Sequence, residues 1–203
     1  MRKGKRWLAA AVSAAMIVQS LASVGPVYAA DDGVSIADTF TDSSFRSYVS
    51  SNFDTDSNGY LSDAEISNVT SIDVSKCSPA ISSLNGVELF TNLSKLDCKE
   101  QSIRNLDIEN LENLEYIDVS SNRIDSLTLP VSAEKLTYLD ISGNKITSLT
   151  SLADYNNLVL LNANSTNLSS IDVSNMKGLK VLGVSGTTIS TLDLGSNMEL
   201  TTL

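Results

Sequence analysis

Leu136-Thr-Tyr-Leu139-Asp-Ile141-Ser-Gly-Asn144-Lys-Ile146-Thr-Ser-Leu149 sets apolar side chains at positions one, four, six, eleven and fourteen of a turn, with an asparagine at position nine. The rhythm continues on both sides. Counted from the first leucine, turns start at Leu93, Leu114, Leu136, Leu158, Leu179 and Leu200, spaced by 21, 22, 22, 21 and 21 residues. Position four then holds Leu96, Ile117, Leu161 and Leu182, position six Cys98, Val119, Ala163 and Val184, and position eleven Ile103, Ile124, Leu168 and Ile189. An earlier, degenerate turn runs through Val69, Ile72 and Val74 and stretches over Ser78-Pro79-Ala80 before Ile81 and Leu84.

No single turn carries enough apolar surface to fold alone, so neighbours must stack and share one core. The pattern L-x-x-L-x-L-x-x-N-x-L predicts a leucine-rich-repeat solenoid, with parallel β-strands from the L-x-L segments lining the concave face and alternate side chains pointing in and out. A second apolar triplet recurs on the return side, as Leu106-Asp-Ile108, Leu127-Thr-Leu129, Ile171-Asp-Val173 and Leu192-Asp-Leu194. So few residues per turn leave that side extended or 3₁₀ rather than α-helical. The asparagine at position nine satisfies backbone groups at the bend. Asn122 and Asn144 fit, whereas Cys77, Gln101, Thr166 and Thr187 do not, which predicts weaker turns at both ends of the array.

Ahead of the repeats, Met1-Arg-Lys-Gly-Lys-Arg6 is followed by an apolar run from Trp7 to about Val18 and by Ala29-Ala30. A basic start, a short apolar core and a small-residue site predict a secretory signal peptide over residues 1–30. The run is too short for a bilayer span, and no later segment could cross a membrane. The peptide holds four of the 14 basic residues and none of the 24 acidic ones, so the mature chain sets ten basic against 24 acidic residues, a formal charge of −14. Such a chain repels phosphate backbones and anionic lipid, which argues against a nucleic-acid partner and favours divalent cations. There is no histidine, hence neither the commonest general base nor the commonest zinc ligand.

Between the peptide and the repeats, residues 31–68 read as a small cap. Asp54-Thr-Asp56-Ser-Asn58-Gly59-Tyr60-Leu61-Ser62-Asp-Ala-Glu65 fills every position of an EF-hand-like loop. Ca²⁺ needs six to eight oxygens, and the loop offers them from the side chains of Asp54, Asp56 and Asn58, the carbonyl of Tyr60, Ser62 directly or through water, and both oxygens of Glu65. Gly59 permits the left-handed turn this requires. Phe45, Tyr48, Val49 and Phe53 make an amphipathic entering helix, capped by Asp42 or Ser43. With no second loop to pair with, Leu61 is expected to pack against the first repeat, making the segment a metal-stiffened lid rather than a sensor, with a Kd on the order of 10⁻⁴–10⁻³ M. Of the two cysteines, an even pair in an exported chain invites a disulfide, but the repeat register argues for two buried free thiols.

Residues 69–203 are the repeats. On their concave face, outward position three reads Ser71, Lys95, Tyr116, Tyr138, Leu160, Val181, and position five reads Asp73, Asp97, Asp118, Asp140, Asn162, Gly183; Val159 joins at position two. An apolar stripe of this kind marks a contact surface, so Tyr116, Tyr138, Val159, Leu160 and Val181, with Asp118 and Asp140, are the candidate ligand-binding residues. The favoured ligand is a protein, with a glycan on the tyrosines or a non-catalytic place in a larger secreted enzyme as alternatives. The aspartates lie on an open face with nothing evident to raise a pKa, so no catalysis is expected.

The order of elements resembles Gram-positive surface leucine-rich-repeat proteins related to internalins. The stretches that carry the likeness are Phe45-Arg-Ser-Tyr48-Val49 through Glu65-Ile66, Ser71-Ile-Asp-Val74, Ile81-Ser-Ser-Leu84-Asn-Gly86-Val-Glu88-Leu-Phe90-Thr-Asn92-Leu93, and Leu96-Asp97-Cys98. The resemblance implies a secreted or cell-surface protein used in adhesion or recognition, with a calcium-loop cap. Because the chain stops within a strand at Leu200-Thr-Thr-Leu203, a longer parent protein is expected.

Overall fold

Six three-residue strands, spaced by the repeat, form one parallel sheet in the computed structural model, which describes residues 33–149, 152 and 155–203; the segment read as a signal peptide lies outside these. In chain order the strands and helices are β1 (Val34–Ser35), α1 (Ile36–Thr39), α2 (Ser43–Asn52), β2 (Tyr60–Leu61), α3 (Asp63–Asn68), β3 (Ser71–Asp73), β4 (Lys95–Asp97), β5 (Asn105–Asp107), β6 (Tyr116–Asp118), β7 (Ser126–Thr128), β8 (Tyr138–Asp140), β9 (Leu160–Asn162) and β10 (Val181–Gly183). The large sheet runs β3-β4-β6-β8-β9-β10, each pair parallel, and like positions face like: Lys95 with Tyr116, Tyr116 with Tyr138, Tyr138 with Leu160, Leu160 with Val181. This is the solenoid the leucine spacing predicts. Position four is fully buried in every turn from Ile72 to Leu182, and Cys98, Val119, Ile141 and Ala163 at position six are buried with it. Full burial of one such aliphatic side chain contributes about 1.5–3 kcal/mol, so stacking gives each turn what it lacks alone.

The return side is extended, as its length demands. Strands β5 and β7 pair there in a two-stranded parallel sheet, and Val87–Leu89 forms a 3₁₀ turn. The asparagines close the bends as their positions require. The Asn144 amide donates to Val119, Ile141 and Ser142 carbonyls and its oxygen accepts from Ile124 N–H; Asn122 does the same for Cys98, Val119, Ser120 and Ile103. Each amide therefore ties its own bend to the previous turn. Gln101 keeps part of this role, accepting from Ile81 N–H at 2.8 Å. The single proton of Thr166 goes to Ala163 within its own turn, which leaves none for the turn before. A second ladder, unforeseen from the sequence, precedes the first leucine: the side chains of Asn92, Asn113 and Asn157 donate to the carbonyls of Ser67, Thr91 and Glu134.

The cap shares its core with the repeats. Asp42 is the helix cap: its Oδ1 accepts from Ser44 and Phe45 N–H, while Oδ2 accepts from the Ser82 N–H and hydroxyl, binding α2 to the first turn. Phe40 packs edge-on to Phe45 and stacks with Phe90 at 6.0 Å, and Phe53 meets Phe90 at 5.3 Å. Gly86 fits this joint for two reasons. Its φ is +98°, and a methyl there would lie 2.5 Å from a Phe40 ring carbon. At the sheet edge, the Asp73 N–H donates to the Tyr48 hydroxyl, so the cap covers a backbone donor that would otherwise stay open.

Two expectations need refining. Leu61 is buried in the core that the cap shares with the repeats, and its backbone pairs with Val34 in the antiparallel pair β1–β2. The residues before α1 thus supply the strand that a partner loop would give. The two thiols are free, yet only Cys98 is buried; Cys77, at a bend beside the Ser78-Pro79 insertion, packs against the edge of the core and stays partly exposed.

Candidate functional site

The concave face is built by register. Because like positions face each other across strands about 4.8 Å apart, the position-three side chains stack into one column. Tyr116 and Tyr138 lie ring on ring, centroids 4.3 Å apart and 11° from parallel, and the Lys95 ammonium sits 5.3 Å from the Tyr116 centroid. Tyr116 is thus covered on both faces, so the pair offers edges and hydroxyls outward. Leu160 and Val181 continue the column half-buried, and Val159 beside them is 38% exposed. Burial pushes both phenols above their ordinary range, and the nearby Asp118 and Asp140 carboxylates push the same way.

The aspartate column has a different job. Asp73, Asp118 and Asp140 each accept from the N–H of the serine two residues on, at 3.2, 3.1 and 2.9 Å, and from its hydroxyl at 2.7, 2.6 and 2.6 Å. These are side-chain-closed turns that end each strand. The recurring Asp-x-Ser was visible in the sequence and is the signal that finds them. Lys99 reaches Asp97 at 3.0 Å and Asp118 at 3.6 Å, and both carboxylates are nearly buried, so Asp118 presents little of itself to a ligand. The Asp97 hydrogen bond raises the Lys99 pKa. Asp140 is half-buried and stands beside Asn162, whose amide donates to it at 2.8 Å.

In the cap loop, oxygens of Asp54, Asp56 and Glu65 lie within 4.8 Å of one another. Asp54 is nearly buried and accepts from Asn58 and Gly59 N–H, which folds the loop around its first carboxylate. Gly59 has φ +87° and Ser57 φ +58°. Asn58 and Ser62 are exposed beside these acids, and Tyr60 is 37% exposed. Ser62 caps α3 with a reciprocal bond to Glu65. Burial opposes ionisation of Glu65, but donors from Thr55 and Ser62 outweigh it and hold its pKa at about 2. Three carboxylates brought together, with the Asn58 amide beside them, form a hard-oxygen donor set of the kind that fits Ca²⁺.

Among the described residues no helix is long and apolar enough to cross a membrane. The family described as "Leucine Rich repeats (2 copies)" matches residues 112–154. No curated protein matches the chain in sequence. Among solved structures, the functional domain of InlJ from Listeria monocytogenes, which includes a cysteine ladder, is 26% identical with a TM-score of 0.55, covering 86% of this chain and 48% of its own. Internalin InlF from Listeria monocytogenes is 22% identical with a TM-score of 0.68, covering 83% and 50%. Internalin C2 from the same species is 18% identical with a TM-score of 0.59, covering 84% and 86%. The chain spans about half the length of the first two. Strand register, repeat match and these neighbours agree on one architecture, and the protein is a leucine-rich-repeat solenoid of the fold seen in internalins.

Proposed function

We propose that this protein is a secreted or cell-surface binding module, used in protein recognition or adhesion, whose concave face takes a protein ligand and whose cap is stiffened by Ca²⁺. One observation carries the reading: the column Tyr116, Tyr138, Leu160, Val181 is half-buried, continuous across four strands and held in register. A preorganised stripe of tyrosine and aliphatic side chains suits a protein contact, since little side-chain freedom is left to lose. Sugar stacking needs an open ring face, and Tyr116 has none. The carboxylates that an acid-pair hydrolase would use are engaged in turns and with Lys99. The internalin-like fold supports a surface location, and the signal-peptide reading of residues 1–30 points the same way.

In the loop, Asp54, Asp56, Asn58, Tyr60, Ser62 and Glu65 would hold the ion. Bound Ca²⁺ would supply charge neutralisation, removing the repulsion among three acids and fixing α3 against the first turn. The Glu65 oxygens already accept four donors from Thr55 and Ser62, so a cation must displace hydroxyl protons to bind both. This competition favours weak affinity, on the order of 10⁻⁴–10⁻³ M.

Capture of cell-surface proteins by the immobilised chain should fall at least tenfold in the Tyr116→Ala/Tyr138→Ala double variant, with circular dichroism unchanged. Equal capture by that variant removes this surface from the reading. Calorimetry should give a saturable heat with millimolar Ca²⁺ that disappears in Glu65→Ala; a flat titration of the unaltered protein ends the calcium proposal.

A further inference from the structure

The carboxylates of the position-five column are not all treated alike. Asp97 and Asp118 share the Lys99 ammonium, and Asp73 faces Lys95 at 3.9 Å. Asp140 has no ion pair among the described residues. Its Oδ1 accepts from the Ser142 N–H and hydroxyl, and its Oδ2 accepts only from the Asn162 amide. Each of these donors is neutral, and Oδ2 keeps a free lone pair.

Beside this carboxylate the face is hollow. Position five on β10 is Gly183, where the other turns carry an acid or an amide; a methyl there would lie 2.6 Å from Asn162 Oδ1 and 2.7 Å from Asn164 Nδ2. The two amides fill the place of that side chain, and beside them lies a cavity of about 500 Å³ with Tyr138, Leu160, Val181 and Leu203 as its apolar wall and Asp140 as its one acidic side chain. The Asn164 oxygen is turned aside to accept from Ser185 N–H at 2.7 Å. A negative floor with an apolar wall matches a side chain that has an aliphatic stem and a cationic head.

We infer that this cavity receives a lysine or arginine side chain from the protein ligand, its head on Asp140 Oδ2 and its stem along Leu160 and Val181. The inference rests on the concave-face reading and names the partner's chemistry. The chain shows the same pairing within itself, since Lys95 lies over Tyr116 and Lys99 bridges two acids one turn away. With 24 acidic against 14 basic residues, the protein as a whole also favours a basic partner.

The test is an NMR titration of the full chain with three capped tripeptides, acetyl-Leu-Arg-Leu-amide, acetyl-Leu-norleucine-Leu-amide and acetyl-Leu-Glu-Leu-amide. The arginine peptide should give saturable shifts at the Asn162 and Gly183 amides, at least tenfold tighter than the other two, and Asp140→Asn should abolish the difference. Asp140→Asn should fold, because position five of the next turn is already Asn162, which accepts from Asn164 N–H in the same way. Asp107→Asn, on the return strand β5, should leave the arginine response intact. Equal response to the norleucine peptide, or an unchanged response in Asp140→Asn, overturns the basic-side-chain assignment and leaves the face. Absence of saturable shifts with any peptide also overturns it, while a Tyr116/Tyr138-dependent capture would still stand.

Discussion

The joint between cap and first turn is held differently from the middle of the solenoid. All four phenylalanines of the chain (Phe40, Phe45, Phe53 and Phe90) meet at the joint, and none follows in the repeats. The middle turns use Leu, Ile and Val, closed by Asn122 and Asn144. A joint made once has no neighbour of the same shape to copy, so large rings with directional packing fill it. A turn that repeats can use interchangeable branched side chains, provided the backbone polar groups at each bend find partners. The two regions therefore separate shape from polar closure.

Removing shape at the joint should have the largest effect. Phe90→Ala should cost about 4 kcal/mol in urea unfolding, since a fully buried ring is lost and Phe40 and Phe53 each lose one of two ring contacts; a cost under about 1 kcal/mol would erase the contrast between joint and middle. Removing polar closure in the middle comes next. Asn144→Ala takes the side-chain partner from the Ile124 N–H and the Ile141 carbonyl, and one of two donors from the Val119 and Ser142 carbonyls, so about 3 kcal/mol should be lost. If Thr166→Ala, which frees only the Ala163 carbonyl, costs as much, the inter-turn bond is not what matters.

The third contrast is with pH, read without calcium. Glu65 is held at about 2 in the folded chain against an ordinary 4.5. A depressed carboxyl stabilises the fold above its unfolded value, and that contribution is lost as pH falls from about 4.5 to about 2. Thermal unfolding should show this acid limb, and Glu65→Gln should flatten it; an identical limb in both proteins would place the acid sensitivity elsewhere. The smallest effect is a gain. Thr166→Asn should restore a bond to the turn before and add about 0.5–1 kcal/mol. A loss on that substitution would mean the outer turns are shaped differently from the middle ones.

The repeat register was legible because a period of 21–22 residues leaves each inward position only one place to go: Leu139, Ile141 and Ile146 are fully buried where the pattern puts them. The helix cap was readable as Asp42 or Ser43, and the structure selects Asp42; Ser62, read only as a calcium oxygen, also caps α3 through a Ser-x-x-Glu spacing that stood in the sequence. What escaped has physical reasons. Val34–Ser35 is a two-residue strand, too short to show any alternation, so the strand partner of Leu61 carried no signal. The ladder of Asn92, Asn113 and Asn157 stands just before the leucine used to align the turns and was visible, but Lys135 and Gly178 interrupt it. The concave face was found as a column, yet its stacking geometry and the Lys99 bridge depend on rotamers that one-dimensional spacing cannot convey.

In-register pairing gives the molecule a ruler. Each turn adds one strand spacing, about 4.8 Å, to the length of the reading face, and touches only the turn on either side. Excising residues 114–135 would bring Lys95 alongside Tyr138 with every inward side chain still in phase. Such a chain could gain or shed whole units and so be tailored to shorter or longer ligands. The Gly86–Phe40 contact, by comparison, has a single permitted position and must be inherited as it stands.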